Sequence, residues 1–411
     1  MSAKSFEIPK QLFMDAFRKV KTNRGAAGVD SVAIEEFERN LKDNLYVLWN
    51  RMSSGSYFPA AVKAVAIPKK SGGERILGIP TVADRICQMV AVFELEKILE
   101  PHFHENSYGY RPKKSALEAV GLTRRRCWKF DWVVEFDVRA LFDNIDHALL
   151  LKALKFHTKC KWILLYVQRW LVAPMQMSTG QITERTKGTP QGGCVSPILA
   201  NLFLHYTFDK WMSRKFPGNP FCRYADDGLV HCHTKAQAVS LLKQLQERFK
   251  ECGLELHPEK TRIVYCKDGN RQASKHPVTK FDFLGFTFQG QRNRNKHTGE
   301  IFFGFGPAMS ISNLKEIRRT IRLEWRMHLR VDLSLEQLAK RFNPVIRGWY
   351  NYYGAFGRTK LRLVKDAINN SIYRWARRKY LKLQKHKRNT WNWLNRVCKS
   401  KPRLFAHWAL I

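Results

Sequence analysis

Three aspartates in a strongly basic chain are the residues best suited to chemistry. Asp226 and Asp227 are adjacent in RYADDGLVHC, at positions 223–232, between two apolar runs. Asp137 follows the apolar run WVVEF, which is typical of a buried strand. Antiparallel pairing of that strand with a hairpin around Asp226 would bring the three carboxylates together.

Carboxylates at such short range repel each other, and the repulsion raises their pKa values. Bound Mg²⁺ relieves it, because Mg²⁺ prefers oxygen ligands and lets substrate phosphates complete its coordination. Two such ions about 4 Å apart would activate a 3′-hydroxyl group and stabilise the pyrophosphate that leaves in an in-line displacement. The alternative is that each acidic segment is a solvated turn, the usual situation for an isolated Asp-Asp pair.

The charge balance indicates a polyanionic partner. Lys and Arg number 72 against 35 Asp and Glu, which gives a formal net charge of +37. Self-repulsion on this scale destabilises the compact state, and nucleic acid is the first candidate to offset it. An anionic membrane surface is the alternative, but the basic residues run along the whole chain instead of forming one cluster. We therefore expect nucleic acid as a partner and no membrane.

Composition further narrows the class of protein. No apolar run approaches the roughly 18 residues of a transmembrane helix. The N-terminus, MSAKSFEIPKQLF, has the features of neither a secretory signal nor a transit peptide. The nine cysteines include no C-x-x-C pair, which argues against a zinc ribbon and for reduced thiols. These features predict a cytoplasmic protein.

Local patterns predict a mixed α and β region followed by basic helices. Most of residues 1–60 has helical spacing, VKAVAIPKKSGGERILGIP predicts a hairpin, and residues 82–99 predict a helix. KAQAVSLLKQLQERFKECG predicts an amphipathic helix that ends at Gly253, and FDFLGFTF is strand-like. Beyond about residue 305 the sequence changes to basic segments with helical spacing, and we place the main domain boundary there.

The basic C-terminal region carries two stripes at helical spacing. The first consists of Leu314, Ile317, Ile321, Trp325 and His328. The second consists of Trp349, Tyr352, Tyr353 and Phe356. The aromatic stripe could stack on bases, but a place in the core is the favoured interpretation. Between the stripes, Ser334 and Gln337 predict a capping box, and Asn343-Pro344 predicts the restart of a helix.

Five motifs follow one another in a family-specific order: FDVRALFDNIDH, GTPQGGCVSPILANLFL, YADD, LHPEKTRI and FLGFTF. With this order and spacing the chain resembles reverse transcriptases, in particular those encoded by group II introns. The resemblance extends from RGAAGVD near the N-terminus to PRLFAHWAL near the C-terminus. It implies an α+β right-hand polymerase, with fingers and a palm built on an antiparallel sheet, followed by an α-helical thumb or maturase domain. The implied domains are an N-terminal extension (1–60), fingers (61–130), palm with part of the fingers (131–305) and thumb (306–411).

The resemblance also implies a reaction, the RNA-templated transfer of dNTPs onto a primer 3′-hydroxyl. Asp137 and Asp226 would bind two Mg²⁺ ions, for which Mn²⁺ could substitute. Asp227 would support the site, and the carbonyl of Val138 would be a further ligand.

The residues that the resemblance assigns to the nucleotide are Lys69, Arg75, Phe142, Gln191 and Lys260. Phe142 would lie under the sugar and clash with a ribose 2′-hydroxyl, so that dNTPs are the implied substrate. Its alternative role is that of an ordinary core phenylalanine. Lys70 could replace Lys69, because the register across the Gly-Gly turn is open. Considered alone, the other residues would fit solvated turns or a glycine-rich loop that opens a helix.

Arginines on the C-terminal helices are the candidates for phosphate contacts: Arg318, Arg319, Arg322, Arg374, Arg377 and Arg378. The resemblance implies an RNA template, a DNA or RNA primer and the group II intron RNA as partners, in the nucleoid region of a bacterial cytoplasm. The oligomeric state, monomer or dimer, stays open. Many relatives continue into a DNA-binding segment and an HNH-type nuclease with cysteine pairs; this sequence shows neither segment, which predicts the compact class without second-strand cleavage.

Two other functions remain as alternatives. One is a non-catalytic RNA-binding splicing factor on a polymerase fold, which would have no need of Asp137, Asp226 and Asp227. The other is a reverse transcriptase adopted by its host and not associated with an intron. A folded ribozyme in the flanking DNA would distinguish an intron-encoded enzyme from the adopted one.

Overall fold

A computed structural model describes residues 5–68, 72–271, 276–294 and 298–409 of the chain. Lys69 and its alternative Lys70 lie outside the described residues, so the structure gives no position for either. In the described ranges no helix is both long enough and apolar enough to cross a bilayer.

The helices, in chain order, are α1 (Gln11–Thr22), α2 (Ile34–Arg39), α3 (Leu41–Ser54), α4 (Val82–Leu99), α5 (Ala116–Cys127), α6 (Leu141–Asn144), α7 (His147–His157), α8 (Lys161–Val172), α9 (Ser196–Leu204), α10 (Lys210–Lys215), α11 (Lys235–Glu251), α12 (Ile311–Arg319), α13 (Leu335–Tyr353), α14 (Leu361–Lys379), α15 (Leu381–Gln384), α16 (Lys387–Ser400) and α17 (Ala406–Ala409). The strands are β1 (Val62–Pro68), β2 (Glu74–Ile79), β3 (Trp132–Asp137), β4 (Met175–Gln176), β5 (Ile182–Thr183), β6 (Phe221–Tyr224), β7 (Asp227–Cys232), β8 (Arg262–Tyr265), β9 (Lys280–Phe283), β10 (Phe286–Arg294) and β11 (Ile301–Met309). Short 3₁₀ turns occupy Glu100–His102 and Met327–Leu329, and π turns occupy His205–Asp209 and Thr320–Trp325.

The strands form three sheets, with the orders β2-β1-β4-β5, β6-β7-β3-β8 and β11-β10-β9. The chain divides into two compact units, Met1–Ser115 with Val134–Arg262, and Ala116–Val133 with Ile263–Ile411. The division near residue 262 differs from the boundary expected near 305, because residues 263–305 cluster with the C-terminal helices. The domain limits drawn from the resemblance therefore remain predictions.

In the first unit the helices form where the periodicity places them. α1 buries Phe13, Phe17 and Val20, which share one face, and α4 spans the predicted residues 82–99. The Thr81 side chain caps α4 by accepting from the amide of Asp84. The Asp84 carboxylate is buried and accepts hydrogen bonds from Tyr57, Thr81 and the amide of Ala60. Burial raises the pKa of Asp84 to about 6.

The YADD segment is the hairpin that its pattern predicts. β6 and β7 are antiparallel, and Tyr224 lies opposite Asp227. Ala225 turns the chain with φ of +56°, in the left-handed region. Gly109 packs closely against this turn. A Cβ at position 109 would lie only 2.4 Å from the amide nitrogen of Ala225. α11 also ends as expected, with Gly253 at φ of +73° after its last turn.

The second unit contains the C-terminal helices, which bury most of the first predicted stripe. Leu314, Ile317, Ile321 and Trp325 are buried, whereas His328 is half-buried in a separate 3₁₀ turn. The helix is interrupted there because Arg326 adopts φ of +42°. The strand-like FDFLGFTF segment contains a turn at Leu284 and Gly285, both at positive φ, between β9 and β10.

The capping box is present: the Ser334 side chain accepts from the amide of Gln337, whose side chain accepts from the amide of Ser334. The predicted helix restart at Asn343-Pro344 is wrong, because α13 continues through Pro344. Proline removes one helical donor there. The side chain of Asn343 fixes this stretch by donating to the carbonyl of Leu404 and accepting from the amide of Ala406. Tertiary contacts therefore hold the helix across a residue that usually ends one.

Candidate active site

The three predicted carboxylates meet at the end of the β6-β7-β3 sheet, within the first unit. Asp137 is the last residue of β3, and Asp226 and Asp227 lie at the turn of the β6–β7 hairpin. The amide of Val138 donates to the carbonyl of Asp226 over 3.2 Å, and the amide of His257 donates to that of Asp137 over 2.8 Å. Backbone hydrogen bonds from two separate segments thus fix the positions of the acidic residues.

The electrostatics of the site follow from burial and like charge. Burial raises the pKa of Asp227 to about 8, and the charges of Asp226 and Asp137 act in the same direction. Burial also raises the pKa of Asp226; Asp137 adds to this shift, while Lys260 and Arg75 oppose it. Neighbouring carboxylates in a poorly solvated place need a cation or a proton.

Lys260 supplies one positive charge. Its ammonium group lies 2.9 Å from Oδ2 of Asp137, although 123 positions separate the two residues. The side chain of Lys260 is 55% exposed and that of Asp137 only 15%. Lys260 is therefore both an exposed turn lysine and a residue near the acidic site.

The chemistry of the donor set fits Mg²⁺, which takes hard oxygen ligands. In the ranges that the structure describes, no three His, Cys, Asp or Glu side chains already have the arrangement of a metal-binding group. Buried carboxylates with raised pKa values are nonetheless the groups that a divalent cation would stabilise most. Val138 is buried beside them.

The predicted nucleotide residues that the structure describes, Arg75, Phe142, Gln191 and Lys260, lie in the same unit. Phe142, in α6, is half-buried, and its ring meets that of Tyr110 edge-on with centroids 6.3 Å apart. Gln191 donates from its side chain to Oδ2 of Asp143 over 3.3 Å. Arg75 is exposed on β2, and its charge is close enough to lower the pKa of Asp226.

Tyr110 was missed as a site residue in the sequence. It adopts φ of +58°, and its ring lies against Phe142. Burial raises its pKa, and the charges of Asp226 and Asp227 contribute. Tyr110 is therefore close both to the phenylalanine and to the carboxylates. It belongs to the segment SYGYRP, residues 107–112, which lies within the stretch that the resemblance covers.

Residues 67–288 match the family described as "Reverse transcriptase (RNA-dependent DNA polymerase)", which is more than half of the chain. Residues 314–393 match the "Group II intron, maturase-specific domain". The chain belongs to the group II intron reverse transcriptase family. Its fold is the α+β fold of these proteins, followed by the helical maturase region.

Curated relatives support this assignment. Protein YkfC of Escherichia coli K12 is 30% identical over 324 residues, which cover 68% of this chain and 81% of YkfC. The group II intron-encoded protein LtrA of Lactococcus lactis is 33% identical over 198 residues, 47% of this chain and 32% of LtrA. An uncharacterized 91 kDa protein in the cob intron of Schizosaccharomyces pombe is 24% identical over an alignment of 451 positions, which covers 90% of this chain and 53% of that protein.

Arg223, also missed in the sequence, anchors the YADD turn of this reverse transcriptase family member. Its guanidinium is fully buried and donates to both carboxylate oxygens of Asp209, over 2.8 and 2.6 Å. A further nitrogen donates to the side chain of Asn201 and to the carbonyl of Ala225. Burial alone would raise the pKa of Asp209, but Arg223 holds it below its usual value. Adjacency to YADD was the available signal.

The six C-terminal arginines, all in the second unit, differ in their surroundings. Arg319 is paired with Glu316 and Glu324, both at 2.8 Å. Arg377 is half-buried and donates to the carbonyl of Gln384. The four that are exposed and form no ion pair within the described ranges are Arg318, Arg322, Arg374 and Arg378. These four are the better candidates for phosphate contacts.

The aromatic stripe packs within the protein. Trp349 stacks on Trp325 with centroids 5.2 Å apart, and Phe286 contacts the rings of Tyr352, Tyr353 and Phe356. The hydroxyl of Tyr352 donates to the carbonyl of Leu284. These contacts favour a packing role over stacking on bases.

Proposed function

We propose that this protein copies RNA into DNA by transferring dNTPs onto a primer 3′-hydroxyl. The observation that carries the proposal is the meeting of Asp137, Asp226 and Asp227 in a chain of net charge +37, with raised pKa values for Asp226 and Asp227. An acidic centre of this kind is costly unless cations occupy it.

The side chains of Asp137, Asp226 and Asp227, with the carbonyl of Val138, would hold two Mg²⁺ ions, or Mn²⁺ in their place. When bound, such ions lower the pKa of a 3′-hydroxyl and neutralise charge on the leaving pyrophosphate. The carboxylates orient the reacting groups, because backbone hydrogen bonds fix both segments that carry them. Lys260 would release Asp137 and turn to a phosphate of the incoming nucleotide, and Arg75 would bind the triphosphate.

Phe142 would select dNTPs by occupying the space of a ribose 2′-hydroxyl, and Gln191 would pack beside the nucleotide and the template. Tyr110, in contact with Phe142, would form another wall of this pocket. Lys69, outside the described residues, keeps its predicted role in binding the triphosphate.

A second role is the binding of group II intron RNA to assist its folding and splicing. The match of residues 314–393 to the maturase-specific domain supports it. The exposed arginines Arg318, Arg322, Arg374 and Arg378 would contact the RNA backbone, which makes binding strongly dependent on salt. Backbone and shape recognition of this kind suits a folded RNA.

Primer extension on an RNA template with dNTPs and Mg²⁺ tests the polymerase. Wild type and Asp226→Ala are compared at protein concentrations that give equal occupancy of the RNA. We expect extension by the wild type only, with RNA binding retained in the variant. A folded wild type that binds RNA but extends no primer across a range of salt and Mg²⁺ would leave the non-catalytic splicing factor as the better description.

A further inference from the structure

The helix that carries Phe142 is too short to hold its own position. α6 has four residues, Leu141–Asn144, and Ala140 before it adopts φ of +47° in the left-handed region. A single helical turn is not stable alone, because nucleation costs more than one turn of hydrogen bonds returns. Contacts from elsewhere in the fold must therefore set the place of the Phe142 ring.

Those contacts come from residues 184–191, which we call the clamp loop and which ends at Gln191. The amide of Thr189 donates to the carbonyl of Phe142 over 2.6 Å, and the amide of Gly188 donates to that of Ile145 over 2.8 Å. The hydroxyls of Thr189 and Ser196 are 2.7 Å apart, which ties the loop to the start of α9. The loop is thus bonded directly to the peptide unit of the phenylalanine.

Gly188 is the point of closest approach. It adopts φ of +78°, and a Cβ at this position would lie 2.7 Å from the carbonyl oxygens of both Phe142 and Asp143. Real Cβ contacts are essentially never that short, so any side chain here would displace α6. Glycine is required both for the conformation and for the space.

His147 also forms a hydrogen bond with Gly188. It is the first residue of α7, and its Nε2 lies 2.7 Å from the carbonyl of Gly188, so Nε2 donates the hydrogen bond. Two side-chain bonds reinforce the loop: Lys187 donates to Asn144, and Gln191 donates to Asp143. Residues on both sides of Phe142 are therefore held by one segment.

We propose that Gly188 and His147 are positioning residues that set the discrimination between dNTPs and rNTPs by fixing the peptide unit of Phe142. This inference rests on the proposed function, in which the Phe142 ring excludes the ribose 2′-hydroxyl. A steric barrier of this kind works only while the ring cannot move away. Loosening the clamp loop opens space for the 2′-hydroxyl and leaves the three carboxylates in place.

The test is steady-state incorporation of one nucleotide by the full-length protein on an RNA template and primer, with a dNTP and the matching rNTP as separate substrates. For His147→Ala and for Gly188→Ala we expect the ratio of kcat/KM for dNTP to that for rNTP to fall at least about tenfold, which corresponds to ~1.4 kcal/mol of lost discrimination against the ribose 2′-hydroxyl. We expect dNTP incorporation by His147→Ala to stay within about threefold of the wild type.

Gly180→Ala is the matched control. Gly180 has a similar φ of +85°, but a Cβ there would meet nothing within 4 Å. The control carries the same backbone strain without contact to α6, and its ratio should equal that of the wild type.

The outcomes separate the two proposals. A wild type that incorporates no dNTP overturns the proposed function and this inference with it. A wild type that discriminates, with His147→Ala showing the same ratio, overturns the inference alone. If Gly188→Ala does not fold, His147→Ala still decides. A ratio that falls equally in Gly180→Ala would assign the effect to general loop strain and also reject the clamp.

Discussion

The buried ion pair between Arg223 and Asp209 gives the sharpest stability prediction. Both side chains are 0% exposed, and they share two hydrogen bonds. Arg223→Met keeps most of the side-chain volume but leaves the carboxylate of Asp209 without its partner. Breaking a buried pair from one side costs ~3–5 kcal/mol, because an uncompensated charge stays in the interior. We expect a loss of this size in the free energy of unfolding.

A surface ion pair provides the matched control. Arg139 and Glu255 also form an ion pair, at 3.2 Å, but their side chains are 61% and 66% exposed. Exposed pairs contribute roughly 0–1 kcal/mol, so Arg139→Met should change stability little. Replacing both buried partners, in Arg223→Met/Asp209→Leu, should recover most of the loss, because the buried charge is removed.

The pKa of Asp209 determines how the stability loss in Arg223→Met changes with pH. In the wild type the pKa of Asp209 is lowered, so its contribution to stability is present above the unfolded pKa and disappears as pH falls through the folded value. In Arg223→Met burial is unopposed and raises that pKa, so that protonation relieves the penalty as pH falls.

Urea unfolding of the three variants and the wild type at pH 8 and pH 5 measures these effects. We expect Arg223→Met to lose several times more stability than Arg139→Met at pH 8, and the difference to shrink at pH 5. Equal losses for the two single variants, or a penalty independent of pH, would refute the assignment of Arg223 as the partner of a buried charge.

Three further predictions concern the site and the C-terminal helices. In metal-free protein the raised pKa of Asp227, about 8, favours folding at low pH, and this contribution disappears as pH rises from ~4 toward 8. Asp227→Asn should therefore raise Tm in EDTA at pH 8 but not at pH 4; an unchanged Tm at pH 8 would contradict the repulsion. Lys260→Ala should reduce single-nucleotide incorporation at least about tenfold, as expected for a lost charged contact, whereas Lys401→Ala, whose exposed ion pair lies in the second unit, should not; equal activity of the two variants would remove Lys260 from the site. Arg318→Ala should lower the slope of log K against log salt for RNA binding by about 0.7–0.9, and Arg319→Ala, whose charge is paired, by less; the reverse order would contradict the choice of exposed arginines.

Local signals were enough to predict several elements. The α4 helix, the β1–β2 and β6–β7 hairpins, the end of α11 at Gly253 and the capping box of α13 each depend on residues a few positions apart. The meeting of Asp137 with Asp226 could also be anticipated, because buried strands that pair bring their ends together. The motifs were therefore sufficient to predict that Asp137 and Asp226 lie close together.

Long-range packing set the limits of prediction. Proline usually ends a helix, but α13 continues through Pro344, where Asn343 bonds to the distant 404–406 segment. The bond between Lys260 and Asp137 and the approach of Gly188 to Phe142 join segments far apart in the sequence. No local sequence pattern encodes such contacts, since they result from how separate helices, strands and loops pack together.

The proposed reaction requires the aspartates to hold the ions with which an RNA-templated polymerase adds a nucleotide. The most direct measurement is the rate of a single dNTP addition by preformed complexes of protein, RNA template and primer, at increasing Mg²⁺. We predict a rate that saturates with Mg²⁺ for the wild type and falls by at least about 10²-fold for Asp226→Asn, the scale of removing a group that stabilises the transition state. RNA affinity should be equal in both. A wild type that binds template and primer but adds no nucleotide at any Mg²⁺ concentration, or an Asp226→Asn protein that adds it at the wild-type rate, would contradict this role of the aspartates.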